Sequence, residues 1–106
     1  MTHRSLIVAR LESQHRDRVA ELFAESDAGD LPHLVGVTRR TLYSFHDLYF
    51  HLVEADNDVA SKVDEVRRTE LFDQINSGLA DFVKPYHPSW RGPRDAMAAP
   101  FYEWRP

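Results

Sequence analysis

Residues Gly36–Asp56 read GVTRRTLYSFHDLYFHLVEAD, and the architecture of the whole chain can be worked out from this stretch. Its residues alternate as two strands joined by a short turn. Folded about His46-Asp47, the run sets Phe45 against Leu48, Leu42 against His51 and Arg40 against Val53. Side chains alternate across a strand. Arg40, Leu42, Tyr49, His51 and Val53 therefore share one face, and Tyr43, Phe45, Leu48, Phe50 and Leu52 the other. A cation and an imidazole are costly to bury on a mostly apolar face. The hairpin thus reads as the polar end of a pocket.

Upstream, Ser5–Leu11 is apolar and partly β-branched, a buried strand. Ser13 is placed to cap a helix running to about Ser26, within which Val19, Leu22, Phe23 and Ser26 form one stripe at i, i+3, i+4 and i+7. Ser26 thus closes the inward face of that helix, where packing alone would not choose a serine. Asp27–Pro32 breaks the helix, with Gly29 as its C-cap and Pro32 as a stop.

Downstream, Asp56-Asn57-Asp58 offers caps for a second helical region that puts Val59, Val63 and Val66 on one stripe. A second part begins around Thr69 and spaces Leu71, Phe72, Ile75, Leu79 and Phe82 helically until Pro85 and Pro88. His87–Pro100, with Trp90, Gly92, Pro93 and Pro100, is irregular, and Phe101–Arg105 alternates as a last strand. The order β-α-β-β-α-β predicts an α+β fold, a ferredoxin-like sandwich with helices on one side of an antiparallel sheet. Both hairpin faces are apolar, yet the helices can cover only one. A second copy covering the other face is expected, a homodimer formed through the sheet; the plainer alternative leaves some of these aromatics at the surface.

At 106 residues the chain reads as one domain, 1–106, and its 42% hydrophobic and 28% charged residues are those of a folded globular protein. A net charge of −4 argues against nucleic acid as a partner. The absence of cysteine excludes disulfides, thiolate catalysis and cysteine zinc sites. The apolar stretch near the N-terminus is too short for a signal core or a membrane span, so a cytoplasmic protein with no membrane partner is expected. The four glycines are isolated, so no phosphate-cradling loop is present, and no histidine–carboxylate pair has metal spacing. Neither cofactor nor metal is expected.

The segment LPHLVGVTRRTLYSFHDLYFHLVEADNDV resembles the tetracenomycin-type aromatic polyketide cyclases of type II polyketide pathways. The likeness extends to HRSLIVARL, FAESDAGDLP, LFDQINSGLADFVKPY and the terminal FYEW. It implies a dimeric α+β barrel of ferredoxin-like subunits. It also implies a cofactor-independent intramolecular aldol condensation that closes a late ring of a poly-β-ketone or polycyclic intermediate. Transient contact with other polyketide synthase components is a further implication. Asp27, Arg40 and His51 match the functional positions of the family pattern, whereas Ser26 stands where that pattern has a histidine.

Aldol ring closure needs a proton taken from carbon, an enolate held, a carbonyl polarised and often water lost. His51 suits general acid/base work because its ordinary pKa of about 6.5 lies near working pH; its plain alternative is a core histidine bonded to a neighbour. Arg40 can hold an enolate through paired donors; its plain alternative is a salt bridge to Glu54 or a helix carboxylate. Asp27 can orient His51, accept a proton, or simply form a turn. Ser26 can hydrogen-bond but cannot protonate a leaving hydroxyl as imidazolium does. Phe23, Leu42, Tyr49, Val53, Trp90 and Tyr102 would line the pocket against a flat ligand. Two rival functions are an oxygen-dependent, cofactorless monooxygenase of an anthrone-like aromatic, and a non-catalytic template that folds a reactive polyketide.

Overall fold

The computed structural model describes residues 3–66, 69–91 and 93–106. Gly92 and the side chains of Val59 and Val63 lie outside the described residues, so the stripe and the loop position assigned to them stay sequence expectations. The chain runs β1 (His3–Arg10), α1 (Arg16–Asp27), α2 (Leu31–Val35), β2 (Val37–Phe45), β3 (Leu48–Ala55), α3 (Val59–Val66), α4 (Glu70–Ala80) and β4 (Met97–Ala98). The sheet is antiparallel with strand order β2-β3-β1-β4, the order of a ferredoxin-like sandwich.

The hairpin register is the one alternation predicts: Phe45 faces Leu48, Leu42 faces His51 and Arg40 faces Val53. His46 opens the two-residue turn at φ 54°, a positive φ of the kind tight hairpins require. Asp47 anchors that turn by accepting from Arg10 Nη1 at 2.7 Å. Along β3, Tyr49, His51, Val53 and Ala55 are buried while the residues between them are half-buried, a period of two that marks the inner face. Two apolar clusters lie over that face. One gathers Leu31, Val35, Val53, Ala55 and Val66. The other gathers Ala9, Leu11, Val19, Phe23 and Tyr49. His51 sits on β3 between Tyr49 of one and Val53 of the other.

Several boundaries fall elsewhere than expected. Ser13 begins a short 3-10 turn, Ser13–His15, and α1 starts at Arg16 without a side-chain cap. Asp27 belongs to the last turn of α1, and Ala28, in right-handed conformation, takes the cap that Gly29 was expected to form. Pro32 does not stop a helix. It sits in the first turn of α2, where its missing N–H costs nothing. The left-handed residue is Gly36, at φ 82°, closing α2 and leading into β2. Thr69 caps α4 as expected, accepting from the Phe72 N–H at 3.3 Å. α4 ends at Ala80, five residues before Pro85, because the chain turns back to pair Lys84 with Arg10. Leu71, placed on the inward stripe, is 39% exposed.

The C-terminal strand also differs. Phe101–Arg105 is not a strand; the free edge of β1 is taken by Met97–Ala98, paired with Ile7 and Leu6. With that edge occupied and Pro100 intervening, the FYEWR alternation has no ladder to join. Phe101, Tyr102 and Trp104 are exposed. Among the described residues, no helix is long and apolar enough to cross a membrane.

Candidate active site

α1 brings its last turn over the inner face of β2, and the two elements supply opposite charges. Asp27 lies at the helix C-terminus, where the macrodipole disfavours an anion and where α1 has no basic residue of its own. Arg40 of β2 supplies the missing cation. Its Nε donates to Asp27 Oδ1 at 3.2 Å and Oδ2 at 3.1 Å, and its Nη2 donates to Oδ1 at 2.9 Å. This fork-on-carboxylate geometry fixes the guanidinium plane as well as its position. The Arg40 side chain is 16% exposed and that of Asp27 38%, so the pair sits at the lip of the sandwich.

His51 holds the other end of the guanidinium, with Arg40 Nη1 2.9 Å from its Nε2. A guanidinium only donates, so Nε2 accepts and the ring hydrogen resides on Nδ1. His51 is 6% exposed, and its pKa is lowered from 6.5 to about 3, first by burial and then by the Arg40 charge. The imidazole is therefore neutral at any working pH. Phe23 completes the frame, its ring 5.1 Å from that of His51 and 4.9 Å from the Arg40 guanidinium carbon. The Tyr49 ring lies edge-on to that of His51 at 6.0 Å.

Asp27, Arg40 and His51 are thus brought together, with Phe23, Tyr49 and Val53 buried around them and Leu42 half-buried beside them. Ser26 is half-buried in the same turn as Asp27, and its carbonyl accepts from the Gly29 N–H at 3.1 Å. Two of the anticipated pocket aromatics stand elsewhere. Tyr102 is 79% exposed in the C-terminal segment. Trp90 packs on Tyr86, whose ring carries the Arg10 guanidinium at 4.5 Å, so it associates with the outer side of the sheet. Sequence spacing could not place either, because Trp90 lies within the irregular segment after α4 and Tyr102 follows it. The salt-bridge alternative for Arg40 is realised with Asp27, while Arg39 and Arg4 share Glu54 at 3.9 and 3.0 Å on the outer face.

A groove of about 470 Å³ runs between α1 and the edge strand β2, lined by Leu11, Arg16, Val19, Ala20, Leu42, Ser44 and Tyr49 among others; it shares Leu42 and Tyr49 with the surroundings of the cluster, while Asp27, Arg40 and His51 do not line it. Arg16, Ala20 and Ser44 were not singled out from the sequence. The signal available was their position: Ala20 follows the inward Val19, and Ser44 is opposite Tyr49. No group of three or more histidine or carboxylate side chains is arranged to hold a metal ion among the described residues.

The family model described as polyketide synthesis cyclase matches residues 3–105. The chain belongs to that family. Tetracenomycin F2 cyclase of Streptomyces glaucescens is 39% identical over 104 residues, spanning 98% of this chain and 95% of the relative. Polyketide synthase CurG of Streptomyces cyaneus is 44% identical over 103 residues, 96% of either chain. The solved structure of the tetracenomycin F2 cyclase, a type II polyketide cyclase, superposes with a TM-score of 0.92 at 38% identity over 98% of both chains. The resemblance read in the hairpin therefore runs through this polyketide cyclase from end to end, and the fold is shared in full.

Proposed function

We propose that this protein is a homodimeric aromatic polyketide cyclase that closes a late ring by intramolecular aldol condensation and dehydration, in the cytoplasm and without metal or cofactor. One observation carries the reading: a guanidinium clamped between a carboxylate and a neutral imidazole at the lip of the sandwich, near the groove between α1 and β2. Of the five N–H donors of Arg40, Asp27 and His51 engage three, leaving one on Nη1 and one on Nη2 for an oxygen of the substrate. An enolate formed between two ketones would receive both. A carbon acid of that kind needs only a modest base, and Asp27, already turned toward the guanidinium, takes the proton. Ser26 contributes a hydrogen bond at the same opening.

His51 has a different part here from the proton shuttle its ordinary pKa suggests. With Nε2 engaged and its proton affinity depressed, it acts as the acceptor that keeps Arg40 in plane, so it is a positioning residue. The homodimer rests on the outer sheet face. There Leu6, Val8, Leu48, Phe50 and Leu52 are half-buried and Tyr43 and Phe45 more than half exposed, inside a rim of Arg4, Arg10, Arg39 and Glu54. That charged rim around an apolar centre is the anatomy of a subunit interface.

The test uses tetracenomycin F2, for which the 39% identical relative is named, as the probe substrate. Arg40→Ala should lose ring closure by about 100-fold or more. His51→Gln keeps an acceptor near the Nε2 position and should retain clearly more turnover than His51→Ala. Closure under anaerobic conditions separates a cyclase from an oxygenase. Near-wild-type turnover in Arg40→Ala, or equal losses in the two His51 variants, would sink the assignment.

A further inference from the structure

The residue that this mechanism leaves unused is Tyr49. Its side chain is 3% exposed, held by Ala9, Leu11, Val19 and Phe23, and it lines the groove between α1 and β2. Its hydroxyl nevertheless makes no hydrogen bond among the described residues. The hydroxyl is not among the buried polar atoms left without a partner, so its oxygen opens to the groove, where a ligand can take the place of water. Burial drives its pKa well above the usual phenol range, only partly offset by the Arg40 charge, so the group is a neutral O–H and lies within electrostatic reach of Arg40. The Tyr49 ring stands 6.0 Å from that of His51, which in turn binds Arg40, so an unpaired donor opening to the groove and a fixed guanidinium flank one imidazole, an arrangement preorganised for two oxygens of one ligand.

We infer that the Tyr49 hydroxyl is a catalytic donor, hydrogen-bonded to the carbonyl oxygen under attack while Arg40 holds the enolate, with the α1–β2 groove seating the flat remainder of the polyketide. This rests on the cyclase reading above and adds the residue that receives the developing charge. When the enolate carbon forms its bond to the carbonyl carbon, the C=O π pair moves onto oxygen. That oxygen takes the Tyr49 proton and becomes a hydroxyl. The phenolate is momentarily stabilised by Arg40, and the proton that Asp27 removed from carbon then restores it, leaving the enzyme unchanged. The groove is apolar at Leu11, Val19, Ala20 and Leu42, and Arg16 marks its outer end, donating to Ser44 Oγ at 3.3 Å with Asp17 alongside. The favoured occupant is therefore a planar, oxygen-bearing ring system with its polar edge toward Tyr49 and Arg40.

Tyr49→Phe tests this with one atom removed. Because the hydroxyl has no partner among the described residues, the thermal midpoint should stay within about 2 °C of wild type. With tetracenomycin F2 as probe, kcat should fall about 100-fold with KM nearly unchanged, the pattern of a contact made chiefly in the transition state. Ala20→Trp, which fills the groove without touching the donors, should instead raise KM. Wild-type kcat in Tyr49→Phe overturns the assignment, and so does a drop in midpoint of 5 °C or more, which would mean the hydroxyl is a structural partner. If Ala20→Trp leaves KM unchanged, the groove does not seat the substrate. Arg40→Ala run in parallel separates the two proposals. An inactive Arg40→Ala beside a fully active Tyr49→Phe removes only this inference, whereas full activity in both removes the cyclase site itself.

Discussion

Replacing His51 with glutamine should flatten the pH dependence of stability. In the folded protein the imidazole stays unprotonated down to about pH 3, whereas the unfolded chain takes up that proton near 6.5. Between those values the unfolded state binds more protons, so wild-type stability falls as the pH falls from 6.5 toward 3 and is insensitive to His51 above that window. At about 1.36 kcal/mol per pH unit, His51 alone withdraws roughly 2 kcal/mol between pH 7.5 and pH 5. Glutamine cannot titrate, so the variant lacks this component while keeping an acceptor for Arg40. Urea unfolding at pH 7.5, 6 and 5, at one protein concentration for both proteins, reads the difference. For a slope near 1.5 kcal/mol per M, about 2 kcal/mol moves the midpoint by more than 1 M. The wild type should lose that much more than the variant over the interval. In parallel, the His51 ring nitrogens in the wild type should show a protonated Nδ1 and a bare Nε2 with no titration between pH 5 and 8. Identical pH dependence in both proteins, or an imidazole titrating near 6.5, would refute the argument that burial and Arg40 keep His51 neutral.

Two further outcomes concern the scaffold. Gly36→Ala should destabilise the fold by about 2 kcal/mol or more, because φ is 82° and an added Cβ would collide with the side chains of Asp56 and Asn57; a calorimetric midpoint within error of wild type would contradict this. Phe50→Asp, in the middle of the outer face between Val8 and Tyr43, should weaken the proposed homodimer by roughly 100-fold or more in Kd. Light scattering across a dilution series reads it, and an unchanged dimer, or a wild type that is monomeric throughout, would count against the interface.

Much of the site was legible because strand alternation is local. Once the turn is placed at His46-Asp47, the pleat alone puts Arg40, Leu42, Tyr49, His51 and Val53 on one face, and the register follows residue by residue. The helix stripe likewise brought Phe23 and Ser26 inward, because a period of 3.6 is a property of the chain and not of its neighbours. Trp90 and Tyr102 were misplaced for the converse reason. The segment of Trp90 has no strong period and that of Tyr102 alternates without a free edge to join, and where such segments lie is decided by which edges and surfaces other elements have already taken. Met97–Ala98 occupies the β1 edge, so the alternating FYEWR has nothing to pair with.

What the sequence by itself determined is the hairpin, the order of elements, the family and the three polar residues that face inward. Only the tertiary structure decided what those residues are to one another. Asp27 and Arg40 are 13 positions apart and Arg40 and His51 are 11, yet one guanidinium binds both. An imidazole's proton affinity depends on its solvation and the charge beside it, and both are set by packing across the sandwich. The spare hydroxyl of Tyr49 is of the same kind: sequence can place a tyrosine in the core, but whether its oxygen has a partner depends on every element that folds around it.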